Sequence, residues 1–318
     1  MMTSDDKLKS IAPQDQQQHR LKRVAIFGVG LIGGSFALAL KKAGAVEHVV
    51  GVGRSLASLQ RAQQLGIIDE IADSAAAAVR DADLVLIAAP VAQTAAILSS
   101  IQPYLQPNTI VTDAGSTKSD VVAAARQVMG NQLAQFVPAH PIAGREQNGP
   151  DAALADLYVG KKAVITSLPE NTDEAVARVA YAWQQCGAII HHLSPAEHDA
   201  VFASISHLPH LLAYALVDDI ARKPHADTLF QYAASGFRDF TRIAGSSPEM
   251  WRDITLANRA AMLQELDSYT ARLAILREHL VNANASGIES IYSHAQAARH
   301  NWIKAIEAAE KQNKEGGD

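Results

Sequence analysis

One cysteine, Cys186, occurs in 318 residues. No intrachain disulfide can form, which fits a reducing, cytoplasmic setting. A basic region is also missing. Lys and Arg number 28 against 33 Asp and Glu, a net charge of −5, and this argues against nucleic acid as a partner. Residues 1–20 are polar and glutamine-rich. They contain no apolar signal core and are expected to form a disordered tail. No uninterrupted apolar run approaches the roughly 18 residues of a membrane helix, so no membrane partner is expected. There is no internal repeat and no H-E-x-x-H. With no third ligand beside the histidines described below, no metal site is expected. The hydrophobic share of 48% excludes global disorder, and the length allows two domains with a sizeable core.

Glycine, by contrast, is placed where it carries information. Val24–Phe27 is an apolar run of strand length, and Gly28, Gly30 and Gly33 follow as G-x-G-x-x-G before a helical stretch. Strand, glycine turn and helix form the context of a dinucleotide fingerprint. Gly28 permits the tight turn, Gly30 lets backbone approach a pyrophosphate, and Gly33 lets the helix pack on the strand. The phosphates would meet the free N–H groups where the helix starts, around Leu31 and Ile32.

Residues 48–52, 83–89 and 109–113 read as further buried strands between helical segments, with 136–140 as one more short strand. Residues 163–166 and 188–193 are expected to extend the same sheet around a helix near Thr172–Cys186. Near-continuous apolar strands alternating with helices imply a parallel sheet covered on both faces. After Ser194-Pro195 strand signals stop, and 196–222, 226–234, 248–279 and 287–311 read as helices. The expected fold is α/β: a doubly wound Rossmann-like domain over residues 21–197, an all-helical domain over 198–312, and a frayed tail at 313–318. The helices carry more apolar positions than one small bundle buries, so they are expected to form a homodimer interface.

NAD-binding folds place a carboxylate at the end of the second strand. Here that strand end reads Gly51-Val52-Gly53-Arg54-Ser55, with no Asp or Glu between Val49 and Gln64. A guanidinium and a hydroxyl suit a ribose 2′-phosphate. NADP is therefore favoured over NAD, which stays open.

Ligands of such sheets lie beyond the C-terminal strand ends. Ala89-Pro90 offers small residues beside a nicotinamide ribose, Asp113–Lys118 ends the next strand, and Ala139–Gly144 follows a third. His140 is the acid–base candidate, held extended by the proline after it and suited to proton transfer near neutrality. Ser116 is expected to hydrogen-bond its other nitrogen and set the tautomer. In the helical half, His207 and His210 fall on one helix face. They are read as cleft residues or as buried, hydrogen-bonded ones. Arg238 and Arg242 stand between aromatics, either of them suited to fixing a carboxylate.

The order GVGLIGGS, DAGSTK, HPIAG, SHLPH and GFRDFTRIA…MWRDI resembles the prephenate/arogenate dehydrogenase family of tyrosine biosynthesis over roughly residues 21–280. The resemblance implies oxidative decarboxylation of a cyclohexadiene, prephenate or arogenate, with hydride transfer to NAD(P). It implies His140 and Ser116 as catalytic residues and Arg242 as the carboxylate anchor, with Ser206, His207 and His210 lining the cleft. Arg145 stands where relatives often carry a small hydroxyl residue, and it could add a carboxylate contact or point to solvent beside Glu146. Asp239 would favour arogenate's ammonium over prephenate's keto group. With no fused mutase segment or regulatory domain evident, a short, monofunctional form is expected. Two other readings stay open: another β-hydroxyacid or ketoacid dehydrogenase, for which the helical half offers no acid–base lysine, and a cofactor-sensing protein without turnover.

Overall fold

The structure, a computed structural model, describes residues 20–315. The expected N-terminal tail, apart from Arg20, lies outside the described residues, as do residues 316–318 of the expected C-terminal tail. Six parallel strands, β1 (Leu21–Phe27), β2 (Val46–Val52), β3 (Glu70–Ile71), β4 (Leu84–Ile87), β5 (Ile110–Asp113) and β6 (Phe136–Val137), lie in the order β3-β2-β1-β4-β5-β6. Helices α1 (Leu31–Lys42), α2 (Leu56–Gln64), α3 (Ala75–Val79), α4 (Thr94–Ile101) and α5 (Ser119–Met129) connect them. Side chains alternate across a strand, and both faces here are apolar. Val24 and Ile26 join a buried cluster with Phe36, Leu40 and Trp183. Ala25 and Phe27 join the opposite one with Leu98 and Val121. This is the doubly wound arrangement.

The register decides where a ligand can sit. Phe27 pairs with Val52 and Ile87, and Ile87 pairs with Asp113. Four strands therefore end at one level, and the strand order reverses between β1 and β4. A crevice beyond that edge is the topological switch point of an open α/β sheet.

The strands expected to extend this sheet do not join it. β7 (Ala139–Pro141) runs antiparallel to β8 (Lys162–Ile165), and β8 runs parallel to β9 (Ile189–His192), across α6 (Asp173–Gln185), in a separate three-stranded sheet. The expected single strand over 136–140 is split at Pro138, which has no N–H to continue the ladder. The Ala139 N–H beyond it donates to the Asp113 side chain at 3.1 Å instead.

The helical part comprises α7 (Pro195–Phe202), α8 (Leu208–Ala221), α9 (Ala226–Gln231), α10 (Ser235–Thr241), α11 (Pro248–Ala257), α12 (Arg259–Val281) and α13 (Ala285–Glu315). α7 opens on a capping box: Ser194 N–H donates to Glu197 Oε2 at 2.8 Å and Glu197 N–H to Ser194 Oγ at 3.2 Å. A π-helical turn, Ala203–His207, links it to α8. Pro209 follows at once, and a proline cannot donate to the carbonyl four residues back. The continuous helix Pro195–Ala221 has 27 residues and is long and apolar enough to cross a bilayer. The apolar run is interrupted by histidines bonded within the fold, His207 to Asn258 and His210 to the Ser206 carbonyl. The single helix expected over 248–279 breaks at Asn258 (φ −98°, ψ 28°).

The chain divides into two compact units, the first ending at Met262 and the second beginning at Leu263. Helices α7–α11 belong to the first, with both sheets. In the second, Leu273, Leu280, Val281, Tyr292 and Trp302 are exposed.

Candidate active site

At the strand edge, Gly28 has φ +102°, and a Cβ there would stand 2.6 Å from the Ala88 carbonyl oxygen. A Cβ on Gly33 would meet the Gly28 carbonyl oxygen at 2.2 Å, whereas one on Gly30 would meet nothing within 4 Å. Two glycines are thus required by the fold, and the third keeps open the space before α1. No side chain caps α1, so its first N–H groups face that space with the partial positive charge of a helix start. Leu31 is buried and Ile32 half-buried; the Ile32 carbonyl accepts from Tyr158 Oη at 2.6 Å. A groove of about 220 Å³ is lined by Gly28, Gly30, Gly53, Arg54 and Ser55. Arg54 is exposed in it. The Ser55 hydroxyl caps α2 by accepting the Ser58 N–H at 3.2 Å. Ala89 and Pro90 are half-buried just beyond β4. These residues fit a dinucleotide, whose pyrophosphate the glycine space would take.

At the end of β5 a buried ion pair aims β7. The Lys118 ammonium donates to the Asp113 carboxylate, and both side chains are almost wholly inaccessible. Asp113 also accepts the Gly115 N–H at 2.8 Å and the Ala139 N–H at 3.1 Å, while Lys118 Nζ donates to the Ala139 carbonyl at 2.8 Å. One residue of β7 is thus gripped from both sides by the end of β5. The next residue is His140.

His140 is half-buried, and its Nδ1 lies 2.8 Å from His198 Nε2. His198 Nδ1 lies 2.9 Å from Asp199 Oδ1. Asp199 accepts the Lys118 and Ser119 backbone N–H groups at 2.8 Å each, anchoring α7 to the start of α5. Phe202 packs on both imidazoles, ring centroids 5.0 and 4.5 Å away. Burial, then the neighbouring His198, Lys118 and His207, holds His140 well below the ordinary histidine value. His198 is also lowered by burial, with the bond to Asp199 opposing. Burial of Asp199 disfavours its charge, yet the bonds from His198, Ser119 and Lys118 outweigh this and lower its pKa. The partner expected for His140, Ser116, is not the one found. His198 occupies Nδ1, because the Asp199 anchor brings α7 directly against β7.

His207 is almost completely buried, not a cleft wall. Asn258, at the break between α11 and α12, donates through Nδ2 to His207 Nδ1 at 3.1 Å and to the Asp199 carbonyl at 2.8 Å. Burial lowers the His207 pKa to about 4. Ser116, half-buried, brings its backbone beside this ring. His210 stacks on Trp251 with centroids 3.4 Å apart, and its Nδ1 donates to the Ser206 carbonyl at 2.9 Å. Its pKa is lowered by burial and by the Arg242 charge. Trp251 and Ile254 bury themselves against Val91, in the turn after β4. Arg242 opens the turn after α10 and donates to Glu146 Oε1 at 2.9 Å, six residues beyond His140. Asp239 and Arg145 are exposed, and their side chains make no hydrogen bond among the described residues.

His198, Asp199 and Asn258 are not among the expected site residues. A signal existed for two of them: Ser194-x-x-Glu197 fixes the start of α7, and His198 and Asp199 are the next two residues. Nothing local marks Asn258. Among the described residues no cluster of His, Cys, Asp and Glu could hold a metal ion.

Two family models together match most of the described chain: the prephenate dehydrogenase nucleotide-binding domain matches residues 36–192, and the prephenate dehydrogenase dimerization domain matches residues 194–293. A cyclohexadienyl dehydrogenase of Zymomonas mobilis is 35% identical over 87% of this chain and 95% of its own length. The crystal structure of a prephenate dehydrogenase from A. aeolicus, in complex with hydroxyphenyl propionate and NAD+, is 35% identical. It superposes with a TM-score of 0.83 over 88% of this chain and 98% of that one. An arogenate dehydrogenase structure from Synechocystis, 28% identical, gives a TM-score of 0.74 over 88% of this chain and 99% of that one. With the glycine turn, the β7 histidine and the helical segment docked beyond β4 in one chain, the protein belongs to the prephenate dehydrogenase family.

Proposed function

We propose that the protein catalyses the oxidative decarboxylation of prephenate, arogenate or both, coupled to reduction of NAD(P), in tyrosine biosynthesis. The observation that carries this reading is His140. It is a histidine kept neutral by burial, and it stands on a strand clamped to the C-terminal end of β5 by a buried ion pair.

A bound nicotinamide supplies the hydride acceptor. The chain supplies the proton chemistry and the positioning. As C4 is oxidised its hydroxyl becomes acidic, and a neutral imidazole accepts that hydrogen bond and then the proton. Loss of the ring carboxylate as CO₂ restores aromaticity. The same proton returns from His140 to the phenolic oxygen, so the histidine ends as it began. Ser116, at the end of the β5 loop, would donate to or accept from that oxygen. Arg242 would fix a substrate carboxylate, exchanging its exposed pairing with Glu146 for the ligand. Ser206, His210 and Trp251 would wall the same crevice, with Arg145 and Asp239 at its rim.

Arg54 and Ser55, with no carboxylate at the end of β2, support NADP over NAD. The exposed apolar side chains of α12 and α13 and the dimerization-domain match support a homodimer. A cytoplasmic setting is consistent with one buried thiol.

Steady-state kinetics with both substrates against both cofactors test the reading. Cofactor reduction matched by CO₂ release with at least one pair is expected, and no turnover with any pair would overturn it. Arg54→Ala should weaken NADP far more than NAD; equal weakening would overturn the cofactor preference.

A further inference from the structure

His140 can serve as a proton acceptor toward substrate only if Nε2, the nitrogen not bonded to His198, carries a lone pair. Its own ring does not decide this. The decision is made by a chain of three groups, each within 2.9 Å of the next.

It begins at Asp199. This carboxylate is acceptor-only when ionised, and it already holds two backbone N–H groups at 2.8 Å each. His198 Nδ1, 2.9 Å away, must therefore donate to it. A neutral His198 then has its lone pair on Nε2. That atom faces His140 Nδ1 at 2.8 Å, where two lone pairs would repel, so His140 Nδ1 carries the hydrogen. From this geometry we infer that Asp199, acting through His198, holds His140 in the Nδ1–H tautomer, leaving Nε2 as the atom that accepts the substrate hydroxyl's proton. His198 and Asp199 are positioning residues, since neither needs to touch substrate.

The same chain stores the proton. When His140 Nε2 gains it, Nδ1 can pass its own hydrogen to His198 Nε2, and the positive charge then rests on the ring bonded to Asp199. Reversal returns a proton from His140 Nε2 to the product oxygen, so no hydrogen is gained or lost. The charged and titratable groups around the pair are consistent with a local store. The Lys118 ammonium is matched by Asp113, His207 stays neutral with its pKa at about 4, and Asp199 supplies the negative charge. Phe202 covers both rings, which keeps bulk water from replacing His198 as the partner.

The effect on turnover rests on the function proposed above, whereas the tautomer does not. Two-bond ¹H–¹⁵N correlation spectra of histidine-labelled protein, with the His140 ring assigned by its loss in His140→Asn, should show hydrogen on Nδ1. Asp199→Asn removes the charge that fixes the hydrogen on His198 Nδ1, and an amide that turns its NH2 to His198, giving up the Lys118 N–H bond, reverses the chain. The hydrogen of His140 should then move to Nε2, and kcat should fall about 10²-fold or more, the effect of a wrong tautomer, with the substrate KM within about threefold. His198→Gln places an amide oxygen near the lost Nε2 and should keep kcat within about tenfold, while His198→Leu should lose about 10²-fold. An Nε2–H tautomer in the wild type, or a folded His198→Leu with undiminished kcat, would overturn the inference. If His198→Leu does not fold, the wild-type spectrum and His198→Gln decide it. A wild-type protein with no turnover would sink the proposed function and leave the spectrum as the test of the tautomer.

Discussion

A histidine kept neutral by burial can accept a proton over a wider pH range than a solvated one. His140 is lowered by burial, and by His198, Lys118 and His207, from an ordinary value of 6.5. Its base form therefore persists on the acid side of that value. The acid limb of kcat/KM against pH should have its midpoint below 6.5; a limb at or above it would assign the limb to a different group. Arg242 differs in kind. Its side chain is 62% exposed and its pairing with Glu146 is solvated, so that contact contributes at most about 1 kcal/mol to folding. Arg242→Gln should leave the unfolding transition in place and raise the substrate KM about tenfold or more, with a smaller change in kcat, because a carboxylate contact exists before the transition state. An unchanged KM would move the anchor to Arg238 or Arg145.

At the scale of elements, two glycines of one motif separate folding from binding. Gly33→Ala drives a methyl into the Gly28 carbonyl oxygen at 2.2 Å and toward the Ile26 side chain at 2.8 Å. It should cost several kcal/mol, within or beyond the about 1–3 kcal/mol of overpacking. Gly30→Ala meets no atom within 4 Å. It should shift stability by less than about 1 kcal/mol while raising the cofactor KM, because the methyl enters the space left for phosphate. Denaturant titration and cofactor kinetics on both variants check this, and an unaffected cofactor KM in Gly30→Ala would contradict the assignment of that space. This motif was legible in the sequence because strand, turn and helix are local. The parts that were not legible depend on contacts far apart in the chain. Phe136–His140 reads as one strand until Asp113 and Lys118 claim Ala139. The helix over 248–279 looks continuous until Asn258 turns to His207 and the Asp199 carbonyl. His198 looks like one more helical histidine until α7 lies against β7. In each case a partner remote in sequence completes the geometry, and the periodicity of the local segment is silent about it.

For the molecule as a whole, the buried histidines make stability depend on pH. His140, His198 and His207 are all held below 6.5 when folded, His207 at about 4. Unfolded, each titrates near its ordinary value of 6.5. Between those values the unfolded chain binds more protons, so folding stability should fall as pH drops from about 6.5 toward 4. Asp199, whose pKa is lowered from 3.8, contributes stability above that value and loses it only at still lower pH, so its effect falls outside this window. Urea unfolding across the window checks the slope. A flat profile would contradict the burial of uncharged imidazoles between the sheet edge and α7.

The chemistry rests on His140, and kcat of His140→Asn with prephenate or arogenate as substrate tests that role most directly. Loss of a positioned acid–base group predicts a fall of at least about 10²-fold, with substrate and cofactor KM little changed. A folded His140→Asn protein turning over within about tenfold of the wild type would contradict the account, for the proton would then be handled elsewhere.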